Sequence, residues 1–163
     1  MENTTSGGKK SSTGRFEAAA RAAGLDIEVH RLPESTRTAV EAAAACGTSS
    51  AQIVKSLVFR LADGGQTVLF LVSGKNRVNE INVASVIGDR LERADADHVR
   101  SVTGFAIGGV APLGSLTPLR TYMDRDLLAF DRVWAAAGAP NAVFSITPQA
   151  LAQATEASII AVT

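Results

Sequence analysis

The chain has 163 residues, with 16 Lys plus Arg balanced by 16 Asp plus Glu and a hydrophobic content of 46%. That length and apolar share suffice for one domain with a real core, while zero net charge excludes a protein that coats nucleic acid through a basic surface. One cysteine, Cys46, and two histidines, His30 and His98, exclude an internal disulfide framework, a cysteine-rich zinc site and a multi-histidine metal centre.

In chain order, residues 1–14 come first. Nine of these fourteen are Ser, Thr or Gly, so they read as a disordered tail, with a single domain over 15–163. Phe16 to Ala23 is an alanine-rich helix with Gly24 placed to end it. Ile27 to Leu32 alternates apolar and polar residues, the period of a half-buried strand, and Pro33 blocks its continuation. Thr38 with Glu41 forms a capping box that opens a helix closed by Gly47. Ser49 with Gln52 repeats the box over a short turn. Ser56–Arg60 and Thr67–Val72 flank Asp63-Gly64-Gly65 and read as a hairpin. Helices are expected over Asn79–Ile87 and Asp95–Val102, then a glycine-broken strand or loop over Phe105–Val110. Leu119–Met123, Val133–Ala137 and Ala142–Ile146 read as strands. Thr147-Pro148 starts a helix to about Thr155, and Ile159–Val162 is a last strand. The longest apolar runs are five residues, too short for a membrane helix or a signal-peptide core. The expected setting is the reducing cytoplasm. Strands and helices do not alternate strictly. The expectation is therefore an α+β fold with a barrel-like mixed sheet of about seven strands surrounded by helices.

Few residues stand out for chemistry. Lys55 sits among apolar neighbours in Gln52-Ile53-Val54-Lys55-Ser56-Leu57-Val58-Phe59, so its ammonium either faces a cleft or snorkels to water. Gly104 to Gly114 is the densest glycine stretch. Such a loop is a tight structural turn or a cradle whose N–H groups meet an oxyanion. Lys75 and Arg77, beside Gly74, are candidate phosphate contacts or a solvated hairpin end. Cys46 reads as a small buried hydrophobe. Asp124 and Asp126 read as the start of a helical turn around Leu127 rather than an acid/base pair. No serine–histidine–aspartate or cysteine–histidine set is evident.

Taken together and in order, five segments resemble the YbaK-like, prolyl-tRNA editing-domain family. They are Gln52 to Phe59, Leu71-Val72-Ser73-Gly74, Val99 to Phe105, Gly108 to Gly114, and Val133 to Gly138. The resemblance spans roughly Phe16 to Thr163. It implies an aminoacyl-tRNA deacylase that hydrolyses the ester of a wrong amino acid, commonly on proline tRNA. It needs no cofactor or metal. Its partners are the acceptor end of the mischarged tRNA and prolyl-tRNA synthetase, with no role for membrane or DNA. The family's functional lysine falls on Lys55, and its Gly-x-x-x-Pro loop on Gly108 and Pro112. Gly108 and Gly109 would donate backbone N–H groups to the oxyanion, and Lys55 would act as a fixed charge holding the ester. A ribose hydroxyl of the tRNA would help activate water. The implied substrate pocket includes Leu32, Val110, Ala111, Pro112, Ala136, Gly138 and Val143.

Leu32, Ala136 and Val143 stand where the cysteine-tRNA-editing branch has a tyrosine, a serine and an aspartate. Loss of three polar groups implies a small apolar amino acid, alanine or 2-aminobutyrate. Two other expectations compete: a non-catalytic module binding aminoacyl-tRNA or a synthetase, and a small-molecule-binding barrel.

Overall fold

The computed structural model describes residues 11–33, 36 and 38–163. Ser11 caps the first helix, α1 (Ser12–Ala22), its hydroxyl accepting from Gly14 N. Thr13 is already buried. The expected tail is therefore corrected at its end: Ser12, Thr13 and Gly14 are the first turn of a helix because a serine cap satisfies its free amides. Residues 1–10 of the expected tail lie outside the described residues.

Burial over 27–30 follows the expected alternation, but only β1 (His30–Arg31) pairs with another strand. Both boxes form. Thr38 accepts from Glu41 N while Glu41 reaches back to Thr38 N at 3.1 Å, opening α2 (Ala39–Cys46). Ser49 Oγ donates to Gln52 Oε1 at 2.9 Å, framing a 3-10 turn at Ser50–Gln52.

The hairpin is β2 (Val54–Leu61) and β3 (Thr67–Ser73), antiparallel with Lys55 opposite Val72. Helix α3 (Glu80–Ile87) starts at an Asn79 cap. β4 (Leu91–Arg93) is a short strand beside the far end of β2 that local pattern did not announce. Helix α4 (Ala96–Thr103) and β5 (Arg120–Asp124) follow. β6 (Val133–Ala139) and β7 (Ala142–Ile146) form a second hairpin, then come α5 (Pro148–Thr155) and β8 (Ser158–Ile160). The fold is mixed α+β, as expected.

The sheet does not close into a barrel. Among the described residues there are two sheets, ordered β4-β2-β3-β5-β8 and β1-β7-β6. One bridge, Ile53 to Trp134, joins them. β3 is central and buried on both sides, which explains its unbroken apolar run. Leu69 and Leu71 enter a core with Phe16, Phe105 and Phe144. Val68, Phe70 and Val72 enter a second core with Val83 and Tyr122. β4 covers β2 only at Phe59–Leu61. The other end of β2, around Lys55 to Val58, is thus an open sheet edge.

Candidate active site

A cavity of about 270 Å³ lies at that open edge. Its walls come from α2, the start of β2, the loop 107–110 and the β6–β7 hairpin. The local causes are separate. The Ser49–Gln52 turn delivers Ile53 to Trp134 and sets the start of β2. Ala42, Ala43 and Ile53 pack as a small cluster with Trp134 against it, bringing α2 over the site. Ala136 and Val143 are register partners on β6 and β7, so one sheet face presents both.

Lys55 lines this cavity and is partly buried. Its ammonium donates to the backbone carbonyl of Asn76. That carbonyl is itself held in place. Asn76 Nδ2 donates to Asp124 Oδ2 and to Asp126 Oδ2, each at 2.8 Å. Asp124 is 1% exposed, and its carboxylate also accepts from Ser73 N at 3.0 Å and Asp126 N at 2.9 Å. Charge-assisted bonds of this kind offset the cost of burying the carboxylate. Asp124 and Asp126 therefore start the 3-10 turn at Arg125–Ala129, as expected, and also anchor the loop that positions Lys55. Burial lowers the Lys55 pKa from its ordinary value; nearby Arg77 lowers it further, and Asp124 opposes both.

The loop opposite Lys55 is shaped by two glycines with different reasons. Gly108 has φ +92°, which side-chain-bearing residues rarely adopt, and a Cβ there would point into open space. A Cβ on Gly109 would lie 2.8 Å from the Ala139 carbonyl carbon, so Gly109 is there for close packing. Gly109 N donates to Ala106 O at 2.9 Å.

The structure brings Lys55, Gly108, Val110, Ala136 and Val143 together around the cavity. It does not bring the remaining expected residues there. Gly109 does not line it, and its N–H is already bonded to Ala106, so the oxyanion expectation narrows to Gly108. Ala111 and Pro112 are buried beneath the loop. Gly138 packs against α1, where a Cβ would lie 2.7 Å from Ser12 O. Leu32 N is bonded to Asn141 O beyond the end of β1, outside the cavity walls. Lys75 and Arg77 are exposed on the Asn76 loop.

Sequence reasoning missed Trp134, Ser56, Thr38, Ala39 and Ala42, all of which line the cavity. The lone tryptophan in an alanine-rich strand was a usable signal. Its ring lies 5.6 Å from that of His30. Among the described residues, the walls hold no histidine, cysteine or carboxylate, and no group of His, Cys, Asp or Glu could hold a metal ion. No described helix is long and apolar enough to cross a membrane.

Residues 33–154 match the aminoacyl-tRNA editing domain. The chain belongs to the aminoacyl-tRNA editing domain family. It is 30% identical over 126 residues to the uncharacterized protein YwhH of Bacillus subtilis, covering 77% of this chain and 80% of that protein. It is 34% identical over 122 residues to a proline–tRNA ligase of Bacillus licheniformis, covering 72% of this chain but only 21% of the ligase. A crystal structure described, provisionally, as a trans-editing enzyme for prolyl tRNA synthetase superposes with a TM-score of 0.88. That protein is 45% identical, and the match covers 96% of this editing domain and 99% of the other chain.

Proposed function

We propose that this editing domain acts in trans as a deacylase, hydrolysing the ester of a mischarged tRNA, with proline tRNA carrying alanine or 2-aminobutyrate as its substrate. The observation that carries this reading is the cavity itself. Lys55 is the one charged side chain lining it among the described residues, and Ala39, Ala42, Ala136 and Val143 give it small apolar walls. Such walls suit a short aliphatic side chain, and Ala136 and Val143 themselves offer no polar partner to the thiol of cysteine or the hydroxyl of serine. Size exclusion is a modest filter, worth about 1–3 kcal/mol per methylene.

The chemistry follows from what the walls offer. Water attacks the acyl carbon, and the bond from that carbon to the ribose oxygen breaks. The proton lost by water ends on the departing ribose oxygen. Negative charge grows on the former carbonyl oxygen, and in this reading the Gly108 backbone N–H and the Lys55 ammonium stabilise it. Among the described residues the walls hold no histidine, cysteine or carboxylate, and in this reading a neighbouring ribose hydroxyl of the substrate relays the proton. Lys55, fixed by Asn76, contributes as a pre-positioned charge.

The experiment is deacylation of a panel of mischarged tRNAs by wild type and Lys55→Ala. The expected result is turnover of alanyl- and 2-aminobutyryl-proline tRNA, lost in the variant. Preference for a cysteinyl or seryl ester would overturn the specificity, and tRNA binding without turnover would overturn the deacylase reading in favour of a binding module.

A further inference from the structure

The loop that carries Gly108 is drawn together at its neck. At the end of α4, Gly104 N donates to Arg100 O at 2.8 Å. The chain returns to the same place after the loop: Leu116 N donates to Thr103 O at 3.1 Å and Thr117 N to Val102 O at 3.0 Å. A loop with its ends held together takes its shape from what packs within it. Here the neck is filled by a residue from another element, Arg15 in the first turn of α1.

Arg15 meets both ends of the loop. Its Nη2 donates to Gly104 O at 2.6 Å, at the C-terminal end of α4 where a cation is favoured. Its guanidinium carbon lies 5.0 Å from the centroid of the Phe105 ring, within cation–π range, and Phe105 is fully buried. At the other end, a Cβ on Gly114 would lie 3.0 Å from Arg15 O, and a Cβ on Gly104 would overlap the guanidinium itself. The two glycines thus admit Arg15 between the ends of the loop.

An apolar side chain could fill the neck at less cost. Arg15 Nε is buried with no hydrogen-bond partner among the described residues, and an unpaired buried donor is unfavourable. What the guanidinium adds is direction. Gly104 O and Phe105 N belong to one peptide group, and both are bonded: the oxygen by Arg15, the N–H to Thr103 Oγ at 3.0 Å. This fixed peptide is the entry to the loop. After it comes buried Phe105, then the turn closed by Gly109 N on Ala106 O, with Gly108 inside that turn at φ +92°. A rotation of the entry peptide would therefore be passed on to Gly108 through few residues, all of them packed or bonded.

We propose that Arg15 is a positioning residue for the deacylation: by holding the Gly104–Phe105 peptide it sets the 106–109 turn, and with it the place of Gly108 opposite Lys55. Arg15 is not among the cavity walls, and it lies before residues 33–154, which match the editing domain. The effect on rate rests on the deacylase reading, while the effect on the loop does not. The test compares wild type with Arg15→Met, which keeps an unbranched stem and loses the guanidinium, and with Arg15→Lys, which keeps a donor for Gly104 O. Steady-state deacylation of alanyl-proline tRNA is measured well below the melting temperature of each protein, beside backbone amide order parameters from heteronuclear NMR. Arg15→Met should lower kcat about tenfold to 100-fold, the scale of a slightly misplaced reacting group. KM should stay within about twofold, the mark of an interaction that works in the transition state. Order parameters should fall over 105–110 and hold steady in β2 and β3. Arg15→Lys should recover part of both losses. If Arg15→Met fails to fold, Arg15→Gln replaces it with the same expectations. The proposal is overturned if Arg15→Met turns over as fast as wild type, if order parameters fall across the whole chain rather than in the loop, or if Arg15→Lys does no better than Arg15→Met. Wild type that deacylates no mischarged tRNA would overturn the deacylase reading, and the order parameters alone then decide whether Arg15 positions the loop.

Discussion

Lys55 carries the sharpest expectations because its surroundings are specified atom by atom. Lys55→Ala removes the charge but leaves Asn76 bonded to Asp124 and Asp126. We expect kcat/KM for deacylation to fall at least about 100-fold, the scale of a misplaced reacting group, with the melting temperature nearly unchanged. Single-turnover kinetics beside a thermal melt check both. The pH profile follows from the lowered pKa. In the proposed mechanism the ammonium is the working form; it is lost as pH rises through that pKa, so activity should decline on the alkaline side below the range of an ordinary lysine. Arg77 lowers the pKa and Asp124 raises it. Arg77→Gln should therefore move the alkaline limb to higher pH, and Asp124→Asn to lower pH, after subtraction of spontaneous ester hydrolysis. The effect on folding has its own sign. Between the lowered folded pKa and the unfolded one, the unfolded chain binds more protons, so this lysine's penalty to stability is relieved as pH rises.

At the scale of elements, two glycines separate the proposed catalysis from packing. Gly108→Ala meets no neighbour but must hold φ near +92°, at a cost of about 1–2 kcal/mol. Its loop should relax away from that conformation, with a large loss of turnover and a melting temperature lower by only a few degrees. Gly138→Ala would press a methyl against the Ser12 carbonyl. There the loss should be chiefly of stability, about 1–3 kcal/mol, with turnover largely kept below the melt. Paired melts and rate measurements distinguish the two. These elements also show what local sequence can and cannot tell. Thr38 with Glu41, Asn79, and Thr147 before Pro148 mark helix starts because a cap is a contact between residues three apart. β4 was invisible because Leu91–Arg93 has no pattern of its own and is a strand only through pairing with Phe59–Leu61. The site divides likewise. Lys55, Gly108 and Val110 lie in segments whose composition singles them out. Ala39 and Ala42 line the cavity only because α2 packs across Ile53 and Trp134, and no spacing rule encodes that. Ala111, Pro112 and Gly138 sit inside resembling segments, yet they support the loop and the hairpin from behind.

For the whole molecule, balanced charge bears on how a tRNA substrate would be held. With 16 charges of each sign, there is little net field to gather phosphates, so binding should centre on the acceptor end. Deacylation of a short acceptor-stem hairpin should be nearly as efficient as that of full-length tRNA. The slope of log affinity against log salt should be shallow, and Lys75→Ala should reduce its magnitude by about 1 if that side chain meets a phosphate. Rate and binding measurements over a salt series test this. Among the described residues one backbone bridge, Ile53 to Trp134, joins the two sheets, and it links segments far apart in the chain. Contacts of that kind form only after a long loop has closed. During synthesis, Lys55 and the β2–β3 hairpin leave the ribosome well before β6 and β7 exist. A nascent chain thus carries Lys55 for dozens of residues before Trp134, Ala136 and Val143, which wall the cavity beside it, have been made.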